Sequence, residues 1–289
     1  MRDVTTSDGR TLRVHEGGDP SGAPVLVQHG TPMTGRLFGP HLEDAERRGI
    51  RLIGYDRPGY GGSTTHEDLS VADAGADVGA IADALGLERI AVWGISGGGP
   101  RALACAALLP ERVVGVASLA SVAPADAEGL DWTAGMGELN LEGFAAMRRG
   151  RAAFEEYLRR EADDLLAADS TQLAEALRSL LTPVDGAVLT GELAEYLADS
   201  MHDAIRGGID GWRDDDLAID NPWGFGVEDI RPSVLLWHGM QDRFVPPEHG
   251  EWLASRIPGV EAHISDEDGH LTLLARRIPE VHAWLLERF

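Results

Sequence analysis

Ser96 lies in the run Gly94-Ile95-Ser96-Gly97-Gly98, a serine flanked by small residues in the pattern Gly-x-Ser-x-Gly. The apolar stretch Ile90-Ala91-Val92-Trp93 precedes it and a helix-like stretch, Pro100–Leu109, follows. A strand turning directly into a helix forces its apex residue into a strained backbone, and small neighbours let adjacent backbone pass close by. The result is an exposed hydroxyl beside a helix N-terminus, where free N–H groups favour developing negative charge. Nucleophilic attack is the chemistry this offers. A rival reading takes Gly97-Gly98-Gly99-Pro100-Arg101-Ala102 as a dinucleotide fingerprint, but that motif wants an acid about 20 residues on. The matching stretch, Ala117-Ser118-Leu119-Ala120-Ser121, has none. A purely structural Gly-rich turn is the third reading.

A neutral serine is a poor nucleophile and needs a base, and the base needs an orienting acid. Of the ten histidines, His270 stands out, because it follows Asp266-Glu267-Asp268-Gly269 directly after the last candidate strand and before the final helix. The acid is best sought in Trp237-His238-Gly239-Met240-Gln241-Asp242, where Asp242 comes three residues after the Gly that ends a strand. Ser96, Asp242 and His270 thus fall in the chain order Ser…Asp…His, each at the carboxyl edge of a sheet where α/β folds bind ligands. Asp126, just beyond another strand, is the reserve acid. His29 and His238 each precede a Gly at a strand end and read as braces for loop backbone. Asp266 and Asp268 read as solvated. Cys105, among Ala102, Ala104 and Ala106, reads as small core packing. Two N–H donors are expected to hold an oxyanion: the backbone of Gly97, and that of Thr31 in His29-Gly30-Thr31-Pro32, since Pro32 has no N–H.

Alternating strands and helices must position these groups. Candidate strands are Thr11–His15, Pro24–Gln28, Arg51–Tyr55, Ile90–Gly94, Val113–Leu119, Ser233–Trp237 and Val260–Ile264, with helical stretches near Pro40–Arg48, Val71–Leu85, Gly98–Leu109, Glu248–Arg256 and Leu271–Arg288. This is the pattern of βαβ units, so the fold class is α/β with a mostly parallel central sheet flanked by helices. Between roughly Ser121 and Ile230 no convincing strand appears, while Leu141–Leu166, Thr171–Leu181 and Gly191–Ile205 carry apolar residues at helical spacing. The expected organisation is a core of residues 1–121 and 229–289 with an inserted helical cap, 122–228. The run Asp214-Asp215-Asp216 reads as a solvated loop, because a calcium loop would want spaced ligands and a Gly.

Composition sets the outer limits. At 289 residues, with 43% hydrophobic and 25% charged, the chain has globular usage and length for a large core. Its single cysteine, Cys105, excludes an intrachain disulfide and a Cys-based zinc cluster. The formal net charge is −23, and every basic residue is Arg, so nucleic acid and anionic membranes are poor partners. No secretory apolar run opens the sequence and no apolar stretch is long enough to span a membrane, which leads us to expect a cytoplasmic protein.

Together these features resemble the α/β-hydrolase superfamily over nearly the whole chain. The residues that carry the resemblance are His29-Gly30-Thr31-Pro32, Tyr55-Asp56-Arg57-Pro58-Gly59-Tyr60-Gly61-Gly62-Ser63, the turn at Ser96, Gly239 with Asp242, and Gly269-His270. The resemblance implies a serine hydrolase with a helical cap. Relatives that use Asp as nucleophile are excluded by Ser96. Gly97 differs from the Trp usual in proline iminopeptidases and the Met frequent in cofactor-free haloperoxidases, which weakens both readings. The expected reaction is hydrolysis of an ester or lactone through an acyl-serine, which needs no metal or organic cofactor. C–C bond cleavage, an iminopeptidase-like activity and a non-catalytic ligand-binding role remain alternatives. The partner is a small, largely apolar molecule held between sheet edge and cap, with Met33, Leu37, Phe38, Trp132, Met136, Phe144, Trp223 and Phe225 expected to line the pocket. Monomer and homodimer are both compatible with the sequence.

Overall fold

A computed structural model describes all residues, 1–289. Eight strands form one sheet: β1 (Arg2–Thr5), β2 (Thr11–Gly18), β3 (Ala23–Gln28), β4 (Ile50–Tyr55), β5 (Ile90–Ile95), β6 (Val113–Leu119), β7 (Ser233–Gly239) and β8 (Glu261–Ser265). Their order is β1-β2-β4-β3-β5-β6-β7-β8. The β1/β2 and β2/β4 pairs are antiparallel, and every pair from β4/β3 to β7/β8 is parallel. Burial explains the difference. In β5 all six residues are buried, as parallel strands covered by helices on both faces require. In β2 only Leu12 and Val14 are buried, in alternation, as suits a strand near the edge. β1 escapes sequence reading because Arg2-Asp3-Val4-Thr5 offers a single apolar residue.

The crossover helices are α1 (Gly39–Arg48), α2 (Asp73–Leu85), α3 (Gly99–Leu108), α10 (Pro247–Arg256) and α11 (Ile278–Leu286), with α4–α9 in the insertion between β6 and β7. α3 starts with Pro100 at its first turn, where a missing N–H costs nothing. The expected single helix Leu271–Arg288 is instead a wider-turned π segment, Leu273–Arg277, leading into α11.

Between β6 and β7 the chain makes α4 (Glu138–Arg148), α5 (Arg151–Ala167), α6 (Leu173–Ala176), α7 (Pro183–Val188), α8 (Gly191–Ile205) and α9 (Asp210–Asp220), and no strand. The stretch read as one helix, Leu141–Leu166, is broken at Gly150, whose φ of 103° is open to glycine but not to a helical residue. The Asp214-Asp215-Asp216 run is not a solvated loop. It lies inside α9, with Asp215 fully buried, because two arginines of the core meet it there. One hydrophobic cluster joins the insertion to the sheet, running from Val25, Trp93 and Leu235 to Phe154, Leu158 and Leu193. No helix is long and apolar enough to cross a membrane.

Candidate active site

Ser96 stands at the end of β5 with φ 56°, a left-handed conformation that costs a non-glycine residue on the order of 1–3 kcal/mol. The surrounding glycines make the bend possible. A Cβ on Gly94 would fall 2.2 Å from the Gly98 carbonyl oxygen, and one on Gly98 would fall 2.1 Å from the Gln28 carbonyl oxygen. The turn therefore packs backbone against backbone, and the strained serine hydroxyl projects from it into a cavity.

Asp242 and His270 meet at the same edge. His270 Nδ1 donates to Asp242 Oδ2 at 2.7 Å, while Asp242 Oδ1 accepts the backbone N–H groups of Phe244 and Val245, each at 2.8 Å. Phe244 stacks on the imidazole, with ring centroids 4.4 Å apart and planes 17° apart. Burial pulls the His270 pKa down, but the Asp242 charge and hydrogen bond outweigh it, and the net shift is upward from 6.5. No hydrogen bond joins Ser96 Oγ to His270 Nε2, neither atom is bonded to any other protein group, and Ser96 lines the cavity while His270 does not.

The Thr31 N–H donates to no protein acceptor, and Gly97 lies in the first helical turn, Ser96–Gly98, where N–H groups lack intrahelical partners. Thr31 and Gly97 line the cavity together with Ser96. Their placement depends on Asp215. Thr31 Oγ1 donates to Asp215 Oδ2, Arg57 reaches the same carboxylate through Nε at 3.0 Å and a terminal nitrogen at 2.5 Å, and Arg101 reaches it at 2.5 Å. Arg57 also donates to the His29 and Gly30 carbonyls, and Arg101 to the Gly97 carbonyl at 2.5 Å. Burial alone would raise the Asp215 pKa, but Arg101 and Arg57 hold it below the usual carboxylate range. One acid from α9 thus ties the loop carrying Thr31 to the turn carrying Ser96.

The other histidines and acids have structural places. His29 Nδ1 donates to the Gly30 carbonyl at 2.8 Å, and burial with the Arg57 charge pushes its pKa down to about 3, leaving it neutral. His238 donates to the Val245 carbonyl at 2.8 Å. Asp126 is exposed and takes no part. Asp266 is exposed, whereas Asp268, expected to be solvated, is fully buried and paired with Arg277 at 2.9 Å. Burial pushes the Cys105 thiol up to about 12, in keeping with inert packing.

The cavity over Ser96 measures about 350 Å³, and 18 of its 28 lining residues are hydrophobic. Trp132, Met136 and Phe144 line it as expected. Met33, Leu37, Phe38, Trp223 and Phe225 do not. Met33 and Phe38 are buried in the cluster joining insertion to sheet, Phe38 between His41 and Tyr196, and Leu37 packs against that cluster. Trp223 and Phe225 pack on each other at 5.8 Å, and the Trp223 carbonyl accepts the Ala72 N–H. Apolar residues at a seam and around a cavity look alike in sequence, and here the seam claims these five. The walls that sequence reading missed include Phe154, Tyr157 and Leu158 of α5 and Ile219 of α9. Four acids, Glu161, Asp164, Glu175 and Asp216, also face the cavity, and no Arg or His does. Burial and the Asp215 charge push Asp216 up to about 8. No group of three or more His, Cys, Asp or Glu side chains is placed to hold a metal ion.

Comparison with known proteins agrees with this architecture. A family model described as alpha/beta hydrolase fold matches residues 23–276. The chain is 36% identical over 72 residues to a pimeloyl-[acyl-carrier protein] methyl ester esterase of Aromatoleum aromaticum, covering 25% of this chain and 28% of that protein. Two further relatives are spanned over 46% and 62% of their length. A 2-hydroxy-6-oxononadienedioate/2-hydroxy-6-oxononatrienedioate hydrolase of Cupriavidus pinatubonensis is 26% identical, covering 93% of this chain and 88% of that protein. Among solved structures, an esterase from Thermogutta terrifontis superposes with a TM-score of 0.72 at 22% identity, covering 99% of this chain and 98% of that one.

Proposed function

The chain belongs to the α/β-hydrolase family, and from that premise we propose that it is a serine hydrolase acting on a small to medium, largely apolar ester or lactone. The observation that carries this reading is the strained Ser96 facing an apolar cavity, with the Asp242–His270 couple built at the same sheet edge. Neutral His270 takes the Ser96 proton through Nε2 as Oγ attacks the carbonyl carbon. The N–H groups of Thr31 and Gly97 receive the oxyanion, each such donor being worth on the order of 10²–10³ in turnover. The tetrahedral intermediate collapses, His270 returns the proton to the leaving alkoxide, and an acyl-serine remains. Water, deprotonated by His270, then releases the acid. Asp242 holds Nδ1 protonated and stabilises the imidazolium throughout. The helical insertion acts as a cap over these steps.

The lining argues about charge as well as size. With carboxyl groups and no cation facing the cavity, a dianion such as the nonadienedioate of the Cupriavidus relative's name meets repulsion without a counter-charge. A neutral ester or lactone meets apolar wall. The same three groups could hydrolyse a C–C bond, so the test must include such a substrate.

A fluorophosphonate probe followed by peptide mass mapping is expected to add one adduct to the peptide containing Ser96, and a panel of neutral aryl esters, lactones and diketones to show turnover of the first two. No adduct in folded protein would point to a ligand-binding role instead. Since the base must be neutral and its pKa is raised, kcat/KM is expected to fall as pH drops through a value above 6.5. A rate flat from pH 5 to 8 contradicts the assignment of His270.

A further inference from the structure

Asp185, in α7 of the insertion, is fully buried and does not line the cavity. Its carboxylate accepts three successive backbone N–H groups of the loop that carries the proposed base: His270 at 3.0 Å on Oδ2, and Leu271 at 2.7 Å and Thr272 at 3.1 Å on Oδ1. These amides open the final helical segment, and the first N–H groups of any helix have no intrahelical acceptor. A helix is ordinarily capped by the residue just before it. Here that residue is His270, whose ring is engaged by Asp242, and the cap comes from 85 residues away. Gly269 is required by the contact, because a Cβ there would fall 2.4 Å from Asp185 Oδ2.

His270 is therefore held at two points. Asp242 fixes the ring at Nδ1, and Asp185 fixes the backbone at its N–H. The first tie belongs to the sheet and the second to the insertion, and the two carboxylates meet the residue from different elements. We infer that Asp185 is a positioning residue for His270, so that the base is aligned toward Ser96 only while α7 is docked on the core. This rests on the serine-hydrolase reading above. The insertion then does more than wall the cavity: a displacement of α7 withdraws the acceptor from three amides at once and lets the histidine loop drift.

The charged and titratable groups that face His270 are Asp242 from the loop after β7, Asp185 from α7, and His238 at the end of β7, which burial keeps neutral. Removing one of the two anions weakens the stabilisation of the imidazolium, and this gives the proposal a readout that a merely structural role lacks. Asp185→Asn keeps the side-chain volume but removes the charge and turns an NH₂ toward N–H donors. Expected are a 10- to 100-fold drop in kcat per Ser96 competent for the fluorophosphonate, KM for a neutral aryl ester changed less than twofold, and an acid limb moved to lower pH. Gly269→Ala serves if that variant does not fold, since it presses a methyl against the carboxylate while leaving α7 intact. It is expected to lower kcat similarly, with faster amide exchange at His270–Thr272. Unchanged kcat per labelled serine and an unmoved acid limb in Asp185→Asn, or unchanged kcat and exchange in Gly269→Ala, overturn the proposal and leave the hydrolase reading standing. A wild-type chain that neither labels at Ser96 nor turns over the panel overturns both.

Discussion

The sheet edge and the helical insertion contribute to the site in different ways. At the edge, every proposed reacting group follows a parallel strand closely: Ser96 after β5, Asp242 after β7 and His270 after β8. The strands hold these positions through backbone hydrogen bonding, and strain at Ser96 is absorbed by a turn whose glycines admit no other residue. The insertion supplies no nucleophile or base. It supplies two buried acids, Asp215 and Asp185, that grip core loops from outside, and most of the walls of the cavity. Chemistry is thus concentrated where backbone geometry is stiffest. In the proposed reading, alignment and substrate shape fall to helices that meet the core mainly through side chains.

If that division is right, substitutions in the two regions should fail differently. The largest effect is expected at the edge: Ser96→Ala and His270→Ala should each lower kcat on the order of 10⁶-fold, by analogy with serine proteases whose triads act as a unit, and the double variant little further. Steady-state kinetics with unchanged circular dichroism checks this, and losses that multiply would contradict a shared machinery.

A smaller effect, of another kind, is expected at Asp215. Replacing it with Ala leaves Arg57 and Arg101 buried without their counter-charge, which costs about 3–5 kcal/mol of stability. Denaturant unfolding reads that loss directly. Activity should fall with it, because the Thr31 loop and the Ser96 turn lose their common anchor. A variant as stable as the parent would show that the two arginines find other partners.

The mildest difference is expected within the insertion itself. Phe144 faces the cavity, against Trp132 at 4.8 Å, whereas Phe225 packs at the seam. Phe144→Ala should raise KM for an apolar ester by about tenfold with kcat nearly constant, the mark of lost uniform binding. Phe225→Ala should leave KM unmoved and lower stability instead. Equal KM changes in both would erase the distinction between wall and seam.

The legibility of the chain follows the same boundary. Short apolar runs such as Val25-Leu26-Val27 read as buried parallel strands, and a serine between glycines at a strand-to-helix junction reads most directly as an exposed nucleophile, so most of the sheet and its edge were legible, β1 excepted. Gly150 was visible but its effect was not, because a glycine inside a helical pattern ends a helix only if the next segment packs elsewhere. Asp214-Asp215-Asp216 misled for a related reason. Three adjacent acids signal solvent unless arginines distant in the chain converge on one of them, and neither Arg57 nor Arg101 announces its direction. Asp185 carried no local signal at all: its partners are three backbone amides, which have no identity in the sequence.

Local pattern alone therefore determined the α/β class, seven of the eight strands and the three groups proposed to react, because hydrophobic period and turn chemistry act over a few residues. Which aromatic side chains wall the cavity, which acid binds the Thr31 loop to the Ser96 turn, and which one caps the His270 loop were decided only by tertiary packing. Burying a charge is tolerable only where partners gather around it, and the folded chain alone fixes where that happens.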